Sequence, residues 1–493
     1  IKNKKRGYPL NEQTIQLAVF CLVLGAIALI TYIKCTGHNR HSTDSNKEYF
    51  LAGGGLTWVF VAGSITLTNL STDQLVGMNG NQMMLLALWE LAGFVGLMVL
   101  AKVFLPVYYR NNCTTTTELL EKRYNSKHIR ALVSTMFLFI NVFVFQPAVI
   151  YTGALFMISM TGIDLDLLTV AIAFAVFGAA YSVLGGLRAV AVSDTYGGVL
   201  VLAMGLLIVV LSLMAIDFDF SGIPPERLTL VGDSSSPVPW HTLLTGMFLI
   251  QIFYWSTNQT ITQRAMAAPT VQEAQKGVYA AAFIRVIFIP SMVVIPGIVA
   301  FKLYGDIGDQ AYGRIVGDLL PSWLSGVFAA AIAAAVLSSF NSMVNSSAAM
   351  YVCDLHEAYL DKKPNVRVLS GIATVIFVII AVIMVPIYAQ SDSIINLLQE
   401  LWGLISMPIL ACFAVGLLFR NVDYRAAIAA VIFGVLMYAS FIWIWMPLHY
   451  IHMMFITFFV CVSVALFINR FVLGNRAKFI GLEKQPASNE TVQ

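Results

Sequence analysis

Residues 62–80 read AGSITLTNLSTDQLVGMNG. The stretch starts inside an apolar run, yet its middle holds Thr66, Thr68, Asn69, Ser71, Thr72, Asp73 and Gln74. Polar groups at such a depth are costly in a membrane unless they line a cavity or ligate something. An unwound backbone there frees carbonyl oxygens, and Na⁺ takes oxygen ligands. Ordinary hydrogen bonding between helices by Ser and Thr competes with that reading. A second apolar segment, 241–264, is interrupted in the same way by Gln251, Ser256, Thr257, Asn258 and Gln259. Interrupted helices at corresponding places in two halves of a chain point to a binding site at the centre of a transporter fold.

Working outward, the whole chain is a membrane chain. Of its 493 residues 58% are apolar and only 11% charged, against about a quarter charged in soluble domains. Mean hydropathy is +0.79. Thirteen windows of membrane-spanning length are legible, including 167–184 and 190–216 as separate passages around Arg188. The N-terminal run, basic residues followed by apolar ones, is too long for a signal peptide and reads as a retained first helix. The interrupted helices open two five-helix units. Five is odd, so the second unit enters from the opposite side and the repeat is inverted. The expected organisation is a flanking helix and loop at 1–50, a first repeat at 51–216, an external loop at 217–240, a second repeat at 241–419, and flanking helices with a tail at 420–493.

Lys and Arg in short loops set the orientation. Arg40, Lys47, Lys122, Arg123, Lys127, Arg188, Lys362, Lys363, Arg367, Arg420, Arg425, Arg476 and Lys478 fall on one side, and little beyond Arg227, Lys302 and Arg314 on the other. The first side is read as cytoplasmic, placing the N-terminus outside, the C-terminus inside and the protein in the inner (plasma) membrane. The basic tail Lys2, Lys4, Lys5 and Arg6 opposes this rule. Arg264 and Lys276 read as solvated residues of the cytoplasmic face. The partners are membrane lipid and small solutes; a net charge of +3 gives no argument for nucleic acid. Six cysteines occur without a paired motif, so no disulfide is expected.

Two further features carry chemistry. The segment 329–350, AAAIAAAVLSSFNSMVNSSAAM, lets neighbouring backbones approach through its Ala residues and offers adjacent hydroxyls at Ser338 and Ser339. Glu90, in LLALWELAGFVGL, is an intramembrane carboxylate and hence a functional residue or a structural partner for Arg285. No phosphate loop, metal-binding His cluster or nucleophile–base motif is present, so an enzyme is not indicated.

The chain resembles the sodium/solute symporters, especially the sodium–glucose/galactose cotransporter branch. The resemblance rests on TNLSTDQLVGMNG at 68–80, WE at 89–90, YSVLGGLRAVAVSD at 181–194, FYWSTNQTITQRAMAAPTVQEAQKG at 253–277, AAAVLSSFNSMVNSSA at 333–348 and LLQELWGLISMPIL at 397–410. It implies an all-α, LeuT-like fold of two inverted five-helix repeats with additional flanking helices. It implies a Na⁺ site made by the carbonyls of Leu67, Leu70 and Ala335 and the hydroxyls of Ser338 and Ser339. It implies a solute pocket of Gln74, Glu90, Gln251, Arg285 and Gln399 with Trp255 beside them, and a gate in which Tyr254 pairs with Asn69. It suggests that Asp194 stands on the sodium exit route; a solvated carboxylate at a helix end is the competing reading. Amides and a carboxylate suit hydroxyl groups, and aromatic rings suit the C–H face of a sugar.

Two positions depart from that branch: Gln251 stands where Asn is expected, and Arg285 where Lys is expected. A guanidinium presents a planar fork suited to carboxylates, so a neutral monosaccharide and a sugar acid or other small anion both stay open. A channel needs a continuous polar pore, and a solute sensor needs a cytoplasmic signalling domain for which the loops leave no room. The function expected is import of a small polar solute coupled to Na⁺.

Overall fold

The computed structural model describes residues 10–36, 50–162, 164–233, 236–361, 364–390 and 394–481. The basic tail, Arg40, Lys47, Lys362 and Lys363 lie outside these ranges. Among the described residues ten helices are long and apolar enough to cross a membrane. The two interrupted helices and Leu167–Ala180, shorter than these ten, bring the candidate passages to the expected thirteen. Among the described residues the regular structure is helical, apart from a two-residue pairing of Phe419–Arg420 with Lys478–Phe479.

One stretch differs from the sequence reading. Residues expected as two passages with a loop at Arg188 form a single helical element, Leu167–Ala215, of 49 residues. At about 1.5 Å per residue it is more than twice as long as a bilayer core is thick. A chain that crosses twice must turn back between the crossings, and within this element Leu187–Ala215 alone is long and apolar enough for one full crossing.

Both interruptions are real breaks. The first helix runs Trp58–Asn69 and resumes as Thr72–Gly80. Between them Leu70 and Ser71 leave helical geometry, with ψ of 68° and 175°. The second runs Gly246–Ser256 and resumes as Gln259–Met266. Asn258 is extended there, and its side chain accepts from Thr260 N at 3.0 Å, capping the resumed arm. A break frees carbonyls that must find donors in a dry interior. Tyr108 Oη supplies one, donating to the Ser256 carbonyl at 2.8 Å.

The breaks face the middle of a bundle whose other walls are Ala87–Val99, Val271–Ile287, Ser322–Ala349 and Ile394–Leu418. The serine-rich helix Ser322–Ala349 is buried along most of its length, as its Ala content predicts. Away from the breaks, Arg130 joins Glu118, Glu121 and the fully buried Asp354 in a second, part-buried polar cluster.

Candidate functional site

A cavity lies where the two broken helices meet, lined by Asn69, Asp73, Gln74, Gln251, Tyr254, Arg285 and Gln399 together with Trp89, Asn141, Phe145 and Trp402. Six of these residues were expected from the sequence as pocket or gate. The other two, Glu90 and Trp255, sit behind the wall and hold Arg285 in place. Glu90 is fully buried and meets Arg285 Nη2 at 2.5 Å through Oε2. Its other oxygen accepts from Gln74 Nε2 at 3.1 Å. The guanidinium lies 4.5 Å over the Trp255 ring and donates to Asn69 Oδ1.

The close approach depends on two glycines of Ala87–Val99. A Cβ at Gly93 would sit 2.5 Å from Arg285 Nε, and one at Gly96 would overlap the Gln251 carbonyl. Without side chains there, the helix carrying Glu90 presses against the helices carrying Arg285 and Gln251, and the ion pair forms away from water. Taking charges out of water is costly. Here the guanidinium has a carboxylate, an amide oxygen and an aromatic face to offset that cost.

Gln251 was expected to address the solute. It lines the cavity, but both ends of its amide are engaged: Nε2 donates to the Trp89 carbonyl at 3.0 Å, and Oε1 accepts from Trp255 Nε1 at 3.0 Å. It braces the wall. Asn69 and Tyr254 are paired, with Nδ2 of Asn69 donating to the Tyr254 hydroxyl at 2.9 Å. Tyr254 also packs edge-on against Trp402, 5.7 Å between ring centres, and Trp402 packs against Phe145 at 4.2 Å. An aromatic wall thus faces an amide wall.

Of the residues expected around Na⁺, Ser339 meets the first broken helix just before its break, at the Thr68 carbonyl. Leu67, Leu70, Ala335, Ser338 and Ser339 are all buried. At the break Ser71 N donates to the Asn69 carbonyl at 2.8 Å, which takes the helical partner of the Leu67 carbonyl away from it. Ser339 Oγ donates to the Thr68 carbonyl at 3.1 Å, leaving its lone pairs unspent. Hydroxyls and peptide carbonyls are hard, uncharged donors suited to a monovalent cation.

One competing reading falls and one expectation is corrected. Asp194 is not a solvated carboxylate at a helix end. It lies within Leu167–Ala215, fully buried, accepts from Ser64 Oγ at 2.6 Å and stands beside Ser338. The cause is close packing: Gly63 of the first broken helix rests directly on Thr195. Arg264 is not a solvated orientation residue either. It is fully buried, donates from Nε to Thr68 Oγ1 at 3.0 Å and reaches the Thr260 carbonyl. Lys276 is exposed and pairs with Glu273 at 2.8 Å.

Sequence reasoning missed Arg264 as a site neighbour, Asp73 as a cavity carboxylate and Tyr450 as a partner of Gln399. The rule that singled out Glu90, a charge inside a membrane segment, applies equally to Asp73 and Arg264. Asn141 and Phe145 reach the cavity from a π-turn, Asn141–Phe145, a distortion common at functional sites. No signal in the sequence points to Tyr450.

Two inverted repeats, each opened by a broken helix, around a central polar cavity define a LeuT-fold secondary transporter. A solved structure of a Na⁺-coupled sialic acid symporter shares the fold, with a TM-score of 0.80 at 16% identity, covering 94% of this chain and 99% of that one. Residues 49–434 match the sequence pattern of the Sodium:solute symporter family, and the chain belongs to that family. An uncharacterized symporter, YidK, of Escherichia coli (strain K12) is 31% identical over 483 residues, 92% of this chain and 83% of that protein. A sodium/glucose cotransporter of Vibrio parahaemolyticus is 30% identical over 457 residues, 85% of this chain and 83% of that protein. The protein is a multi-pass membrane transporter, and its coupling ion is Na⁺.

Proposed function

We propose that the protein imports a small neutral polyol, most simply a monosaccharide, together with Na⁺ by alternating access. One observation carries the choice of a neutral solute. Arg285, the single cation among the cavity-lining residues, is already neutralised by Glu90 at 2.5 Å, while Asp73 adds a carboxylate to the same cavity. With Glu90 already opposite the guanidinium, the cavity lining keeps no free positive charge for an anionic solute to meet. The remaining amides offer donors and acceptors to hydroxyls, and Trp402 and Tyr254 offer an apolar face to C–H groups. Similarity to the cotransporter of Vibrio parahaemolyticus supports a sugar.

In this reading the carbonyls of Leu67, Leu70 and Ala335 and the hydroxyls of Ser338 and Ser339 hold Na⁺, Asp194 receives it on the way out, and the Asn69–Tyr254 pair closes the cavity on one side. The distribution of Lys and Arg supports a plasma-membrane chain with its C-terminal end in the cytoplasm. One Na⁺ crossing about 100 mV gains roughly 2.3 kcal/mol, and a tenfold gradient adds about 1.4 kcal/mol. Together they sustain roughly 500-fold accumulation of a neutral solute.

Uptake into proteoliposomes tests this. Labelled D-glucose, D-galactose and myo-inositol are compared with D-glucuronate and D-galacturonate in Na⁺, K⁺ and choline. Accumulation of a neutral compound in Na⁺ alone is expected. Equal uptake in K⁺ or choline removes the Na⁺ site, and uptake of the acids alone removes the neutral solute.

A further inference from the structure

The helix Tyr450–Phe467 lies outside both repeats, yet its first residue reaches the cavity wall. The Tyr450 hydroxyl donates to Gln399 Oε1 at 2.7 Å. Gln399 lines the cavity, is 3% exposed, and its Nε2 is buried without a partner in the protein. An amide has an acceptor end and a donor end. A hydroxyl proton needs an acceptor, and with Oε1 turned to Tyr450 it has one. The same turn sends the two N–H groups of Gln399 toward the cavity.

We infer that Tyr450 is a positioning residue for solute recognition: by holding Oε1 of Gln399 it fixes the amide with its donor end toward the solute, so this point of the site demands a hydrogen-bond acceptor. Left free, the amide could present either end. The inference takes the cavity as the solute site, as proposed above, and adds a residue from a helix that the repeats do not contain.

Tyr450 is itself held firmly. The preceding His449 caps the helix, accepting from Ile451 N at 3.3 Å, and its ring lies 4.5 Å from that of Tyr450. His452 bonds to His241 at 2.8 Å and to Thr245 Oγ1 at 2.8 Å, at the start of the second broken helix. A Cβ at Gly246 would overlap the Ile451 carbonyl, so the two backbones touch. The first turn carrying Tyr450 is therefore fastened to the helix that carries Gln251 and Tyr254, and it sets Gln399 relative to that helix.

The test is a double-mutant cycle on purified full-length protein, read as solute affinity by competition and as half-saturation by Na⁺. The probes are D-glucose, D-galactose, myo-inositol, D-glucuronate and D-galacturonate. Tyr450→Phe is expected to weaken whichever probe binds the wild type by about 5- to 12-fold. It should have little further effect in a Gln399→Ala background and leave Na⁺ half-saturation unchanged. Gln399→Glu, which keeps the acceptor for Tyr450 but deletes the donor, should lose as much as Gln399→Ala. A merely structural Tyr450 would lower affinity equally in both backgrounds, and that result overturns the inference; so does wild-type affinity in Tyr450→Phe or Gln399→Glu. If only the acids bind, the neutral-solute reading falls while the cycle, run on an acid, still judges Tyr450. If none of the five binds, both fall.

Discussion

The protein buries two clusters of charge, and they are finished to different degrees. In the first, Asp354 is fully buried and has every lone-pair position in use. Oδ1 accepts from Thr115 at 2.8 Å and from Arg130 Nε at 2.7 Å; Oδ2 accepts from Thr117 at 2.5 Å and from Ser134. Arg130 spends its other donors on Glu121 at 2.6 Å, Glu118 at 3.0 Å and the Cys353 carbonyl at 3.1 Å. In the second cluster, Glu90 and Arg285 are paired just as closely, but the groups around them are not. Asp73 Oδ1, Gln74 Oε1 and Gln399 Nε2 are buried with no protein partner. Buried polar groups are nearly always bonded, so open valences that converge on a cavity mark where a solute supplies the missing half. On the proposed reading the saturated cluster is structural and the unsaturated one is the solute site.

The largest effect is expected from breaking the saturated cluster. Asp354→Ala leaves three hydroxyls without their acceptor and takes from the part-buried Arg130 the one fully buried carboxylate of its three. Removing one partner of a buried pair typically costs about 3–5 kcal/mol. Thermal unfolding in detergent should drop sharply, while solute affinity in the folded fraction stays at the wild-type value. Wild-type stability would erase the contrast between the clusters.

Next comes the open cluster. Gln399→Ala removes a donor that in the proposed site meets the solute, and it leaves the part-buried Tyr450 hydroxyl without its acceptor. Solute affinity should fall by about 1–3 kcal/mol, or 5- to 150-fold, with unfolding shifted far less than in Asp354→Ala. A mutant that unfolds early but binds normally would move Gln399 into the structural class.

Smaller again is the ion site. Ser339→Ala deletes a hydroxyl that donates to the Thr68 carbonyl and, in the proposed site, ligates Na⁺. A loss of about 1 kcal/mol, roughly fivefold in Na⁺ half-saturation, is expected with solute specificity intact. Unaltered Na⁺ activation would remove this hydroxyl from the ligand set.

These contrasts show what a sequence discloses here and what it hides. The breaks at Leu70 and Asn258 were legible because polar residues in an apolar segment signal themselves at once. Gln74, Arg285 and Gln399 were named through the family resemblance, and all three line the cavity. What stayed hidden was the spending of valences. Gln251 looked like a donor to the solute, and it does line the cavity, but Trp89 and Trp255 each take one bond from its amide, and Trp89 lies 162 positions away in the chain. Asp194 and Arg264 sit near polar or charged stretches that suggest solvent, and only the packing of Gly63 on Thr195 and the reach of Arg264 to Thr68 bury them. Tyr450 lay in a region that reads as flanking helix, and its role depends wholly on which helix it touches.

The smallest expected effect is also the one that discriminates most between solutes. Arg285 departs from the symporters that the chain otherwise resembles, and a guanidinium at this depth needs a partner. The structure supplies Glu90 at 2.5 Å, with Asn69 and the Trp255 face completing the set. If the solute is neutral, Arg285→Lys keeps the charge opposite Glu90 and gives up only the second arm of the fork and the stacking on Trp255. An affinity loss of about 0.5–1 kcal/mol, or roughly two- to fivefold, is expected. If the solute brought its own carboxylate, the planar fork would be the recognition element and a compact ammonium would replace it poorly. The loss would then exceed about tenfold. Competition of the wild type by matched sugars and uronic acids gives an independent reading of the same question. Strong competition by the acids alone, with a large loss in Arg285→Lys, would show that the carboxylate of the solute displaces Glu90 from the guanidinium. The Glu90–Arg285 pair would then be a resting contact and not the finished one.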